Sequence, residues 1–184
     1  MNYSDIPQFT RQAGYCVDVS WNYLMSSWLP DQIASGLNLD PDFQRAHVWT
    51  QNQQRRYIEF VLRGGRTGRD IQTNNPGWYN QGVEGPYELV DGKQRIEAVR
   101  SFMTNNLKIF PEFAPETGGL LSSQFTGYMR HYAAFKWHVN DLATRAEVLQ
   151  WYIDLNAGGV VHSEEEIRRV QILLDLEKAH GTQR

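Results

Sequence analysis

An α+β fold is predicted by three features of the chain. Short β-rich runs end in turn residues, stripes of apolar residues recur at helical spacing between them, and strands repeatedly feed loops that feed helices. The first helix is expected over Asp18 to Leu29, where Trp21, Leu24, Met25 and Trp28 share a face and Leu29-Pro30 stops it. Leu37-Asn38-Leu39 alternates as a short strand, closed by Asp40-Pro41. Thr50 caps a helix running through Arg63, with Tyr57, Ile58, Val61 and Leu62 inward and Gly64-Gly65 ending it. Tyr87 to Val90 is a β-rich run leading through Asp91-Gly92 into a helix from Ile96 to Asn105, which buries Ile96, Val99, Phe102 and Met103. Leu107 to Phe110 and Phe135 to Val139 alternate as further strands. Arg145 to Asn156 is a helix with the stripe Val148, Leu149, Tyr152 and Ile153, broken by Gly158-Gly159. Ser163 and Glu166 then form a capping box for a last helix, Glu164 to Lys178, with Ile167, Val170, Leu173 and Leu174 inward.

Composition narrows the class. The chain has 184 residues, 41% hydrophobic and 21% charged, with a net charge of −3. That suits a single domain over 1–184 and is too apolar for a disordered chain. No apolar run reaches a membrane span, and the start MNYSDIPQFTR lacks the apolar stretch of a signal peptide. Cys16 is the single cysteine, so an internal disulfide is excluded and a cysteine-based zinc site is not expected. A soluble, cytoplasmic protein is the expectation. Mild acidity argues against indiscriminate coating of nucleic acid, without bearing on a local basic groove.

Several chemistries lack their motifs. There is no GxxxxGK[ST] loop, no HExxH, no CxxC pair and no GxSxG elbow, and the five histidines show no ligand spacing. Three polar clusters remain at the edges of elements. The first is Asp40 to Trp49, where Gln44 and Arg45 sit between a strand end and a helix start. The second is Asp91-Gly92-Lys93-Gln94-Arg95, at a strand-to-helix turn where free backbone N–H groups favour an anion. Here Gly92 permits close backbone approach, Lys93 and Arg95 bring positive charge, Gln94 donates and accepts, and Asp91 can hold Mg²⁺ or take a proton. Phosphate is the natural ligand for that set. The third cluster is Asn156-Ala157-Gly158-Gly159, with His162 behind it.

Structural readings stand beside these. Asp91 can be a helix N-cap, Arg45 and Arg95 can be ion pairs, Gln44 can satisfy backbone, Trp49 can be core, and Asn156 can be a helix C-cap. The stretch Arg55, Arg56, Arg63, Arg66 and Arg69, with Gly64, Gly65 and Gly68, reads either as a basic loop for a nucleic-acid backbone or as a solvated helix face ending in a turn. In the next loop, Trp78 and Tyr79 either stack on a base or fold over the core.

Phe43-Gln44-Arg45 with Val48-Trp49, then Val90-Asp91-Gly92-Lys93-Gln94-Arg95, then Asn156 with the following glycines and Glu166, resembles the N-terminal domain family of GmrSD-type restriction enzymes. That family lies in the ParB/sulfiredoxin-like superfamily. The resemblance runs from about Val17 to Gln171, and Lys93 departs from it, since the family pattern there is DGQQR. It implies a small mixed sheet packed with helices and a phosphate pocket at the helix after the DGxQR turn. It implies a nucleoside triphosphate, ATP or another, with Mg²⁺, and action on DNA that is modified. Gln44, Arg45, Gly92, Lys93, Gln94, Arg95 and Asn156 would bind the nucleotide. Asp91, Arg95 and Arg45 would be catalytic, with Asp91 at the metal, and Arg63, Arg66, Arg69, Trp78 and Tyr79 would meet DNA. Relatives of this class carry a separate nuclease domain, which a chain of this length is expected to lack. Stand-alone relatives resemble phage-encoded proteins, and the expected activity is a phosphotransferase, a kinase acting on 5-hydroxymethyluracil in phage DNA. The alternatives are an NTPase or nucleotide-sensing module of a restriction or anti-restriction system, and a non-catalytic DNA-binding adaptor.

Overall fold

The computed structural model describes residues 6, 15–44, 48–78, 84–126, 133–157 and 164–181. Strands β1 (Tyr15–Ser20), β2 (Asp70–Asn74), β3 (Glu88–Asp91) and β4 (Ala134–Asn140) form a four-stranded sheet in the order β1-β4-β2-β3. β1 and β4 are antiparallel, β4 and β2 parallel, and β2 and β3 antiparallel, so the sheet is mixed and the α+β expectation holds. The α-helices among the described residues are α1 (Trp21–Tyr23), α2 (Leu29–Ala34), α3 (Gln51–Leu62), α4 (Lys93–Met103), α5 (Arg145–Ala157) and α6 (Glu164–Gly181), with a π-turn at Leu24–Trp28 and 3-10 turns at Pro111–Phe113, Pro115–Thr117 and Ser122–Gln124.

Alternation along the strands divides the sheet into two faces. Val19, Phe135, Trp137, Val139, Ile71 and Leu89 point into the main core, which also takes Ile58 and Val61 of α3 and Ile96, Val99 and Phe102 of α4. A second cluster joins Phe43 and Val90 to Val148, Leu149 and Tyr152 of α5 and to Val170 and Leu174 of α6. The opposite sheet face is polar. At one end Asn74, Asn140 and Glu88 are buried, while at the other Cys16, Asp18 and Lys136 are exposed and Asp70, Gln72 and His138 half-buried.

Several expectations are corrected. Asp18 starts no helix: Val17 and Val19 alternate in β1, where Asp18 pairs with Lys136 at 3.4 Å. The helical segment begins at Trp21, with the Ser20 hydroxyl accepting from the Tyr23 amide at 3.3 Å. It also runs past Pro30, because a π-turn over Leu24–Trp28 widens the ladder and the Leu29 N–H reaches back to the Leu24 carbonyl. Leu37-Asn38-Leu39 contributes only a bridge from Asn38 to Glu88, and Leu107 to Phe110 only one from Ile109 to Leu120. Strand β2 was not expected. It is a polar strand, and neighbours satisfy it: the Thr73 hydroxyl donates to the His138 carbonyl at 2.8 Å, and Asn74 donates to the Pro86 and Leu142 carbonyls at 2.7 and 2.9 Å.

Helix α3 follows expectation. Thr50 and Gln53 form a capping box, and at the other end Gly64 (φ 93°) and Gly65 donate to Val61 and Phe60. Helix α4 begins at Lys93, not Ile96, and ends at Met103, not Asn105. Asn105 (φ 61°) instead terminates the helix from the left-handed region, donating to the Phe102 carbonyl at 3.0 Å. Helices α5 and α6 occupy the expected stretches, α6 extending to Gly181; the Ser163 capping box lies outside the described residues.

Candidate functional site

The site is built on a bulge. Gln72 of β2 pairs with Asp91 and Thr73 with Leu89, so Val90 is an extra residue in β3. Simple alternation would send Asp91 to the core side with Leu89. The bulge re-aims it, and Asp91 joins Gln72 on the polar face. Through the registers with β4 and β1, Asp91, Gln72, His138 and Cys16 then form a row across the sheet.

The next turn is forced by Gly92. Its φ of 113° lies in the left-handed region, and a Cβ there would sit 2.4 Å from Ile71 Cδ1. The close approach that this glycine permits is to the sheet beneath it. Gly92, and not Asp91, occupies the N-cap position of α4, and the Asp91 carboxylate pairs instead with the Arg95 guanidinium one turn along. Lys93 pairs with Asp40, and only 13% of its side chain is exposed, against 76% for Asp40. Arg95 Nε is buried with no hydrogen-bond partner among the described residues.

The two glutamines clamp one motif to the other. Gln44 Nε2 donates to the Leu89 carbonyl at 2.9 Å and the Val90 carbonyl at 2.8 Å, so the first motif holds the bulge in the second. In return Gln94 Oε1 accepts from the amides of Val48 and Trp49 at 3.0 and 3.1 Å. The sequence offers both side chains to a ligand and gives Gln44 a backbone role as the alternative; in the structure these atoms bond backbone. Phe43 anchors the same segment, buried with its ring 5.1 Å from Tyr152.

Other expected residues are distributed as follows. Asn156 Nδ2 donates to the Tyr152 carbonyl at 2.7 Å, one turn back in α5. Arg63 pairs with Glu112 at 2.7 Å and lies 4.9 Å over the Phe110 ring, Arg66 is exposed, and Arg69 is half-buried. The Tyr57 hydroxyl pins that loop by donating to the Gly68 carbonyl at 2.9 Å, and burial pushes its phenol well above the usual range. Trp78 is half-buried, its ring 5.1 Å from Tyr15 and 6.3 Å from Trp28. Arg45, Tyr79, the glycines after Asn156 and His162 lie outside the described residues.

Two arginines escaped sequence reasoning. Arg145 binds Asp42, Glu88 at 2.6 Å and Glu177 at 3.7 Å, tying the first motif to α5 and α6. Burial nevertheless holds the Glu88 carboxyl above its ordinary value, outweighing the pull of Arg145. Arg169 Nη2 donates to the carbonyls of Phe43 and Gln44 at 3.2 and 3.3 Å. Their distance in sequence from both motifs left no local signal.

The Lys93–Asp40 and Arg95–Asp91 pairs place two cations and two carboxylates at one turn. A polyphosphate would compete with the carboxylates for the cations and release them, and one or two carboxylates with phosphate oxygens is a usual Mg²⁺ environment. The orphaned Arg95 Nε fits that exchange, since the Asp91 pairing leaves this donor unsatisfied. No group of three or more metal-ligating side chains occurs among the described residues, and no helix there is long and apolar enough to cross a membrane.

Comparison with known proteins gives one family. The family model described as GmrSD restriction endonuclease, N-terminal domain, matches residues 29–173. No curated protein and no solved structure matches the chain.

Proposed function

The chain belongs to the family of GmrSD restriction endonuclease N-terminal domains, and we propose that it is a nucleoside-triphosphate-dependent module acting on modified DNA in a restriction or anti-restriction setting. The observation that carries this reading is the turn after the Val90 bulge. It sets Asp91 on the open sheet face, with Arg95 against it and Lys93 beside it.

In this reading Lys93 and Arg95 exchange their carboxylates for the phosphates of the nucleotide, with Arg45 as a third cation. Phosphoryl chemistry needs alignment and charge neutralisation more than covalent help, and this is what a pair of clamped cations supplies. Mg²⁺, when bound, would neutralise phosphate oxygens, and Asp91 is the residue to hold it. Gln44 and Gln94 act as positioning residues that fix the turn. Arg66, exposed in the loop pinned by Tyr57, is the residue of that loop best placed for a DNA phosphate.

A second reading, transfer of the terminal phosphoryl group to a DNA hydroxyl such as that of 5-hydroxymethyluracil, is favoured by the position of Asp91. Its side chain is 50% exposed on an open face, where it can take the proton of an incoming hydroxyl. Incubation with γ-labelled ATP and either hydroxymethylated or plain DNA separates the readings. Free phosphate released in the presence of DNA supports the nucleotide-dependent module, and label on the DNA supports the transferase. DNA binding with neither product contradicts both and leaves an adaptor. Arg95→Ala is expected to lower turnover by about 100-fold or more.

A further inference from the structure

Away from the Asp91 turn, a cavity of about 220 Å³ opens at the start of α3. Its walls include Gln51 and Arg55 from α3 and Asn105, Asn106 and Lys108 from the segment after α4, with no acidic residue among them. Arg55 and Lys108 differ in their partners from five other cations among the described residues. Arg63, Lys93, Arg95, Arg100 and Lys136 each pair with a carboxylate. Arg55 spends Nε on the Lys108 carbonyl at 3.1 Å, and Lys108 Nζ donates to the Thr117 carbonyl at 2.7 Å, so among the described residues neither meets an acid. The first turn of α3 carries no acidic residue either.

Two un-neutralised cations and three carboxamides around one hollow attract an anion and offer it hydrogen bonds. Size decides the kind. Pockets that enclose whole small ligands run to about 300–1,000 Å³, so this hollow takes a single group. We propose that it is a phosphate subsite receiving a backbone phosphate of a nucleic-acid strand. This rests on the DNA-acting part of the reading above and is independent of the nucleotide site. Arg55 and Lys108 bind the phosphate, and the carboxamides fix its orientation without reading sequence.

The test is equilibrium binding of a fluorescent DNA duplex, without nucleotide, across a salt series, for the wild type, Arg55→Gln and Lys108→Gln. Each variant is expected to weaken binding about 5- to 10-fold at low salt and to lower the salt slope by about one. Lys108→Gln removes an exposed ammonium group and its one exposed hydrogen bond to the Thr117 carbonyl, so it remains informative if Arg55→Gln unfolds. Unchanged affinity and slope in Lys108→Gln, with the wild type binding DNA, overturn the subsite and leave the DNA reading standing. A wild type that binds no DNA at low salt overturns both. Inorganic phosphate is titrated in parallel, read by amide shifts at Gln51, Arg55 and Lys108. Shifts from phosphate at millimolar concentration with none from DNA identify a free anion as the ligand, and overturn the nucleic-acid assignment.

Discussion

Gln44 and Val90, 46 positions apart, are joined by a 2.8 Å hydrogen bond from the side-chain amide of the first to the carbonyl of the second. The bond explains why two short motifs occur together. One supplies the bulge that aims Asp91 outward, and the other holds it. Gln44→Leu keeps the bulk and leaves the Leu89 and Val90 carbonyls short of a donor, so a loss of about 1–2 kcal/mol is expected in urea unfolding. Amide exchange should quicken in β3 more than in β1. Unchanged stability and exchange would refute the clamp.

Gln94 performs the reciprocal service, accepting two backbone amides while only 8% exposed. Gln94→Leu is expected to cost about 1–2 kcal/mol, because it removes the acceptor of two part-buried N–H groups at once. The same urea titration checks it, with Gln53→Leu, at the exposed capping box of α3, as a milder comparison.

Gly92→Ala meets both a strained φ and the Ile71 Cδ1 atom. A loss of about 2 kcal/mol or more is expected. Ile71→Val removes Cδ1, so the double variant should be more stable than the sum of the singles predicts. A strictly additive cycle would show that strain alone governs the position.

Glu88 sets a pH dependence. Its carboxyl titrates above its ordinary value because it is buried, so the folded state holds this proton more tightly than the unfolded chain does. The group's contribution to stability is full below the unfolded pKa and is lost as pH rises through the folded one. Glu88→Gln lacks that titration. The melting temperature of the wild type should therefore fall relative to Glu88→Gln as pH rises from about 4 through the glutamate range. Parallel curves would contradict this.

These residues also show where sequence reasoning works. The Thr50 cap and the apolar stripe of α5 are local signals, and each produced the expected element. Strand β2 lacked such a signal, since only Ile71 in Asp70–Asn74 is apolar and its polar side chains are satisfied by distant carbonyls. Helix α4 starts three residues before its apolar stripe, and Lys93, Gln94 and Arg95 show no apolar periodicity to mark that turn, although Gln94 is buried. The motif residues were legible as a set. The division among them, glutamines on backbone and cations on carboxylates, depends on a bulge visible only from the pairing of β2 with β3.

Asp40 competes with any phosphate for Lys93. Asp40→Asn is thus expected to tighten nucleotide binding by about threefold, as removal of one ion pair whose carboxylate is exposed allows. Weaker binding would mean that Asp40 serves the nucleotide directly.

The most direct test is calorimetric titration of Mg²⁺-loaded ATP, GTP and CTP into the wild type, Lys93→Ala and Arg95→Ala. At least one nucleotide should bind the wild type, with affinity falling about tenfold or more in each variant, as the loss of a charge-assisted contact requires. A wild type that binds none of them, or variants that bind as tightly as it does, would contradict the account.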